Sequence, residues 1–216
     1  MSTSDTEPRI APAPPEEIRP LLGGLLGGLD ATEAPAAAHH ITANPVLNVL
    51  ATVGNHPGLL TGLAPLLGAI STGLLPARDR ELVILRVAWH TRARYEWAHH
   101  VVIAGGTGLT EQEIARIPHG QGEPGWSDLD AALLRAVDEL HGPRAAVSDR
   151  TWQQLAAHYD HRQLLELLAL TGTYTLVAYV LNSCRVPIDD WLGDPAPLPE
   201  VHARRPPSTD SAIPVT

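Results

Sequence analysis

The sequence has a single cysteine, Cys184, and no phenylalanine. One thiol excludes both an intramolecular disulfide and a Cys-x-x-Cys redox pair. With no phenylalanine and few other aromatics, the core has to come from Leu, Ala, Val and Ile, a mixture that suits packed helices better than sheets. Long hydrophobic runs are also missing, since each apolar stretch meets a charge or a glycine before it reaches the length of a membrane span. The formal net charge is −9 and no Lys/Arg cluster is present to track a phosphate backbone, which argues against nucleic-acid binding. The opening MSTSDTEPRIAPAPPEE has neither the basic start nor the apolar centre of a secretion signal, so a cytoplasmic location is expected.

What is present reads as one all-α domain. A chain of 216 residues can bury a substantial core. Residues 1–16, rich in Pro, Ser and acid, read as a flexible N-terminal arm, and residues 193–216 as a Pro-rich tail; residues 17–192 form the expected single helical bundle. Such ends either wrap a partner subunit or are plainly disordered. Inside the domain, NPVLNVLATVGNHPGLLTGLAPLLGAISTGLLP holds two apolar helical stretches divided at Asn55-His56-Pro57, with Pro57 suited to a first turn. ARDRELVILRVAWHTR reads as a buried helix entered through Asp79, and RYEWAHHVVIAGG as the next, stopped by Gly105 and Gly106. Thr110 with Glu113, and Ser127 with Asp130, have capping-box spacing; Ser148 opens a further helix and HRQLLELLALTGTYTLVAYVLNS forms the last. The β-branched residues fall within helical periods rather than in alternation, so no strand is expected.

One segment calls for chemistry. On a wheel of about 100° per residue, Ala93, Trp97, Val101 and Ala104 of the RYEWAHH helix share an apolar arc, and Glu96 and His100 fall within or against its edge. An unpaired carboxylate or imidazole in such an arc costs several kcal/mol of desolvation. Four residues apart, Glu96 and His100 can bond to each other, and Glu81 can join from the preceding helix. Burial and a neighbouring imidazole then push a carboxyl pKa in opposite directions, which is how proton donors are poised near neutrality. Tyr95 and His99 form a parallel pair on the flank. The plain alternatives are a surface Glu–His pair and, for Glu81, a solvated first-turn acid. The order Glu-x-x-His-His is not the zincin pattern, and a metal site would need a further ligand such as His90 or His56. Trp97 walls a pocket or is core, and Tyr174 lines the site or sits satisfied at the core edge.

These residues resemble the signature region of the carboxymuconolactone decarboxylase family, which includes the alkyl hydroperoxidase D-like proteins. The resemblance rests on the Arg-Glu-Leu helix start, Tyr-Glu-Trp-x-His and the Gly-Leu-Thr-x-x-Glu-Ile exit within ARDRELVILRVAWHTRARYEWAHHVVIAGGTGLTEQEIARI, and it extends over residues 16–192. It implies an all-helical fold that assembles as a homo-oligomer (dimer, trimer or hexamer) with sites near subunit contacts. In the peroxidase branch a glutamate relays protons to a histidine that activates two cysteines. Here Glu81 and His100 take the glutamate and histidine positions, while Ala93 and Glu96 stand where the thiols would be, so a dithiol peroxidase is excluded. The resemblance to the decarboxylase branch implies a cofactor-free lyase or isomerase acting on a small oxygenated acid or lactone, in a secondary-metabolism role among others. Glu81, Glu96, His100, His99 and Tyr95 are its expected catalytic residues. Arg78 or Arg80 would seat an anion, with Trp97 and Tyr174 lining the substrate site. No metal, cofactor, nucleic-acid or membrane partner is expected. Against this stand a helical oligomer that keeps the fold without the chemistry, and a metal-dependent enzyme.

Overall fold

The computed structural model describes residues 7–26 and 46–200; the outer ends of both expected tails, residues 1–6 and 201–216, lie outside it. Nine α-helices occupy the described residues and no strand is found among them. They are α1 (Pro15–Leu26), α2 (Asn48–Gly54), α3 (Pro57–Ser71), α4 (Ala77–Thr91), α5 (Arg94–Gly105), α6 (Glu111–Arg116), α7 (Asp128–Leu140), α8 (Asp149–Ala156) and α9 (His161–Cys184), with short 3₁₀ turns at Ile117–His119 and Asp190–Leu192.

The centre is α4. Every residue from Glu81 to Ala88 is buried, and a helix enclosed on all sides must be sheathed by neighbours. Those neighbours are α5, α7 and α9. The largest cluster joins Leu82, Ile84 and Leu85 of α4 to Leu133 and Leu134 of α7 and Leu164, Leu167 and Leu170 of α9. A second cluster packs α1, α2 and α3 against Tyr95 and the far end of α9 through Ile18, Leu22, Leu60, Val177 and Leu181. By length and hydropathy α9 could cross a membrane, but here it is a core helix with Leu167, Leu170, Thr171, Tyr174, Ala178 and Leu181 inside.

Local chemistry sets the helix ends. Both expected capping boxes form, at Thr110/Glu113 and Ser127/Asp130, and Ser148 caps α8. A third box, Asp160/Gln163, opens α9, and the His56 side chain accepts from Leu59 N ahead of Pro57. The entry to α4 differs from expectation. The helix begins at Ala77 behind Pro76, and Asp79 turns inward to accept from the Tyr159 hydroxyl at 2.6 Å, because a buried tyrosine needs a partner. At the other end Arg92 adopts the left-handed conformation (φ 57°), and the chain reverses into α5.

Both ends of the described chain lie on this body. Arg9 N donates to Cys184 O, Ala13 N to Ala51 O and Asn55 Nδ2 to Ala11 O, so residues 9–13 strap α2 to the end of α9. Near the C-terminus, Pro199 O accepts from Arg92 Nη1.

Candidate active site

Reversal at Arg92 lays α5 along α4, bringing the start of α4 against the second half of α5. There the His100 Nδ1–H donates to Glu81 Oε2 at 2.7 Å. Glu81 is no solvated first-turn acid, since only 3 % of it is exposed. With Nδ1 engaged, His100 presents Nε2, which has no hydrogen-bond partner among the described residues. The Tyr174 ring of α9 meets the imidazole edge-to-face, with centroids 5.1 Å apart. Burial drives the Tyr174 pKa up, and the Glu81 and Glu96 carboxyls raise it further.

Glu96 does not bond to His100 as the four-residue spacing suggests. The ring has one Nδ1, and the facing helix claims it for Glu81. Both Glu96 carboxyl oxygens are buried with no hydrogen-bond partner among the described residues, and burial pushes the pKa well above the ordinary glutamate value. Burial thus favours the protonated form of Glu96, a carboxyl with no hydrogen-bond partner among the described residues.

The two candidate anion seats separate. Arg78 Nη1 donates to Asp130 Oδ1 and Nη2 to Glu113 Oε1, each at 2.6 Å, and the Asp130 bond leads in raising its pKa. Arg78 is thus a tie between α4, α6 and α7, corrected from an anion seat because its donors are already spent. Arg80 is held loosely: Nη1 lies 3.4 Å from Leu75 O and Nε 4.0 Å from Glu81 Oε1, with its side chain 13 % exposed.

Tyr95 and His99 lie apart from this group. Their rings stack on each other, centroids 4.1 Å apart, and both turn to Asp189 in the segment after α9. The Tyr95 hydroxyl donates to Asp189 Oδ2, His99 Nε2 lies 2.9 Å from the same oxygen, and Asn48 N donates to Oδ1 at 3.0 Å. Burial alone would raise the Asp189 pKa; the bonds from His99 and Tyr95 overcome it and hold it below the usual range. This satisfied carboxylate latches the C-terminal segment to α5 and to the start of α2. Placing Tyr95 and His99 with Glu81 and His100 is corrected accordingly: a 100° step around α5 points them at a different neighbour. Trp97, 2 % exposed, belongs to the main core rather than to a pocket wall. The possible extra metal ligands are also engaged elsewhere, His56 as a cap and His90 Nε2 on Asp138 at 2.6 Å.

Sequence reasoning missed Asp189, since no periodicity marks a loop carboxylate; a tyrosine and a histidine four apart with no acid partner on their own helix was the available signal. A shallow apolar groove of about 290 Å³ between α3 and α9 is lined by Leu63, Leu66, Ala169, Gly172, Thr173 and Leu176, and contains none of the acid–base residues.

Residues 57–139 match the model of the Carboxymuconolactone decarboxylase family. A comparison with curated proteins finds no significant match. Among solved structures, a cysteine-to-alanine variant of the debrominase Bmp8 in complex with 2,3,4-tribromopyrrole is 15 % identical, with a TM-score of 0.66 over 85 % of this chain and 92 % of that one. An alkylhydroperoxidase AhpD core, an uncharacterized peroxidase-related protein from Ralstonia eutropha JMP134, is also 15 % identical, with a TM-score of 0.66 over 85 % and 94 %. An uncharacterized peroxidase-related protein from Silicibacter sp. TM1040 is 13 % identical, with a TM-score of 0.61 over 76 % and 87 %. The family-matched segment of the present chain contains no cysteine. The segment that spans α3 to nearly the end of α7 thus matches the carboxymuconolactone decarboxylase family, and the chain has the all-α fold of these solved structures.

Proposed function

We propose that this chain is a cofactor-free acid–base catalyst, a lyase or isomerase acting on a small oxygenated acid or lactone. The observation that carries the reading is His100, oriented by Glu81 through Nδ1, on the same helix face as the buried carboxyl of Glu96, which is unpartnered among the described residues. An imidazole held by a carboxylate at one nitrogen works at the other, so Glu81 is the positioning residue and His100 Nε2 the proton-transfer atom. Glu96 supplies a second proton, and Arg80, with donors to spare, seats an anionic group. In this reading Tyr174 closes the apolar side.

The test is turnover of carboxymuconolactone and related lactone acids, followed by loss of absorbance and CO₂ release. His100→Gln and Glu96→Gln should each lower kcat by about 10²- to 10⁴-fold, the range of a positioned acid or base. Turnover that survives both substitutions would sink the reading.

Self-association belongs to the same proposal. Leu165, Leu176 and Tyr179 of α9 are exposed, as are Leu59 and Leu66 of α3, and Leu66 and Leu176 line one apolar groove, a face suited to a second copy. That face equally supports the alternative of a helical oligomer without chemistry. Leu176→Glu should shift the sedimentation coefficient towards the monomer.

A further inference from the structure

From Leu167 to Cys184, α9 carries no charged residue, yet one side of it faces outward. Its most apolar stretch has a mean hydropathy of 1.7, and only 44 % of that stretch is buried within the chain. The exposed residues Leu165, Ala169, Gly172, Leu176 and Tyr179 recur at alternating intervals of four and three, the spacing of a seam between two helices. Leu165 and Tyr179 are each 65 % exposed. Gly172 stands in the middle of the seam. A Cβ there would meet nothing within 4 Å, so packing inside the chain does not call for glycine, which weakens a helix interior. What glycine permits is close approach by another backbone. Beside it, Ala169, Gly172, Thr173 and Leu176 line the groove of about 290 Å³ that Leu63 and Leu66 complete from α3. With one hydroxyl and no charge in its lining, this hollow suits an apolar side chain and lacks the convergent polar groups that orient a small ligand. A lipid surface fits less well, because α9 has no Lys or Arg beyond Arg162 and the net charge of −9 is repelled by anionic headgroups.

We propose that a second copy of this chain covers this face through its own α9, the two helices antiparallel with their two-fold axis at Gly172. The proposal rests on the self-association stated above and is independent of the acid–base chemistry. A two-fold contact has to be self-complementary, and this stripe is. It brings Leu165 against Tyr179 of the second copy, sets Leu176 over the small Ala169, and lets the two glycines meet at the axis. The helix dipoles then oppose each other. Arg185, at the C-cap of α9, comes level with Asp160, at the N-cap of the other α9, so unlike charges meet at both ends of the seam. Leu165, Leu176 and Tyr179 with Leu66 of α3 present several hundred Å² of apolar surface per copy, on the scale of the ~800 Å² per partner of a standard interface. Tyr174 lies on the inner side of the same turns, against His100, so the interface backs onto the candidate site.

Two single-cysteine versions of the full chain test the register: Leu165→Cys and Tyr179→Cys, each made with Cys184→Ser so that no native thiol competes. They are produced together, purified and oxidised. Across the proposed axis position 165 meets position 179, whereas position 165 lies about 20 Å from its own counterpart, beyond the reach of a disulfide. The expected result is a disulfide-linked dimer from the pair and none from either variant alone. A dimer in sedimentation that gives no linked species from the pair overturns the α9 register and leaves self-association standing. A parent chain that sediments as a monomer overturns both, and flotation with phosphatidylcholine vesicles would then assign the face to lipid. Gly172→Leu is the second variant. Open space at that position means that the helical circular dichroism should be unchanged, while the added side chain holds the two backbones apart and shifts the dimer to monomer. A Gly172→Leu chain that remains a dimer also counts against the seam.

Discussion

Glu96 is where residue-scale energetics and function pull against each other. Its folded-state pKa is raised, so the folded protein binds a proton there that the unfolded chain releases above about pH 4.5. The stability attached to this group is fully present below pH 4.5 and is lost as pH rises. Glu96→Leu removes both the lost proton linkage and an unpaired polar group, and should stabilise by about 1–3 kcal/mol at pH 8 while abolishing activity. Denaturant melts at pH 8 and pH 5 check this; a gain that does not shrink at pH 5 would contradict a neutral buried acid. The two arginines give a second contrast. Arg78→Ala takes the counter-charge from the mostly buried Asp130, leaving it only its bonds to Ser127, and should cost about 2–3 kcal/mol in denaturant unfolding. Arg80→Ala, with only long contacts to lose, should unfold within about 0.5 kcal/mol of the parent and raise KM for anionic substrates.

Among the elements, α5 is pinned from two sides, by the helix that precedes it and by a segment some ninety residues on. α4 holds His100 through Glu81, and the segment after α9 holds His99 and Tyr95 through Asp189. Asp189 also supplies the acceptor for Asn48 N at the start of α2, a helix whose own N-cap, Leu47, has no side-chain acceptor. Asp189→Ala removes the shared acceptor of three donors. It should cost about 1–3 kcal/mol and raise amide exchange in α2 and residues 187–192 ahead of α4 and α7. Uniform exchange across these helices would mean the latch carries no local stability. Helix existence and several ends were legible before the structure, because capping boxes at Thr110 and Ser127 are local chemistry. The α4 start was misread at Asp79, since the pull of buried Tyr159 on that carboxylate comes from eighty residues away.

For the molecule as a whole, the titrating groups predict a skewed pH–stability curve. Burial leads in lowering the His141 pKa, with the nearby His90 adding to it, so its contribution is present above about pH 6.5 and fades as pH falls. Asp138 resists its own burial through bonds from His90 and Arg86, and Asp189 through bonds from His99 and Tyr95; both contributions persist above about pH 3.8 and are lost below it. Glu96 works in the opposite direction above pH 4.5. Thermal melts by circular dichroism should therefore show a maximum on the acid side of neutrality, a shallow decline as His141 protonates and a steep loss once Asp138 and Asp189 do. A Tm still rising below pH 4 would refute this accounting.

The sequence by itself determined the all-α class, the absence of dithiol chemistry, most capping signals and the family resemblance. Each of these depends on residue identity or on spacings within a single helix turn or two. Only the tertiary structure decided which side chains share a site. It assigned His100 to Glu81, left Glu96 without a partner among the described residues, spent Arg78 on Asp130 and Glu113, and gave Tyr95 and His99 to Asp189. The physical reason is direction. Helical spacing tells which residues lie on one face, but the partner that a buried polar group meets comes from whichever helix or loop the core packs against that face.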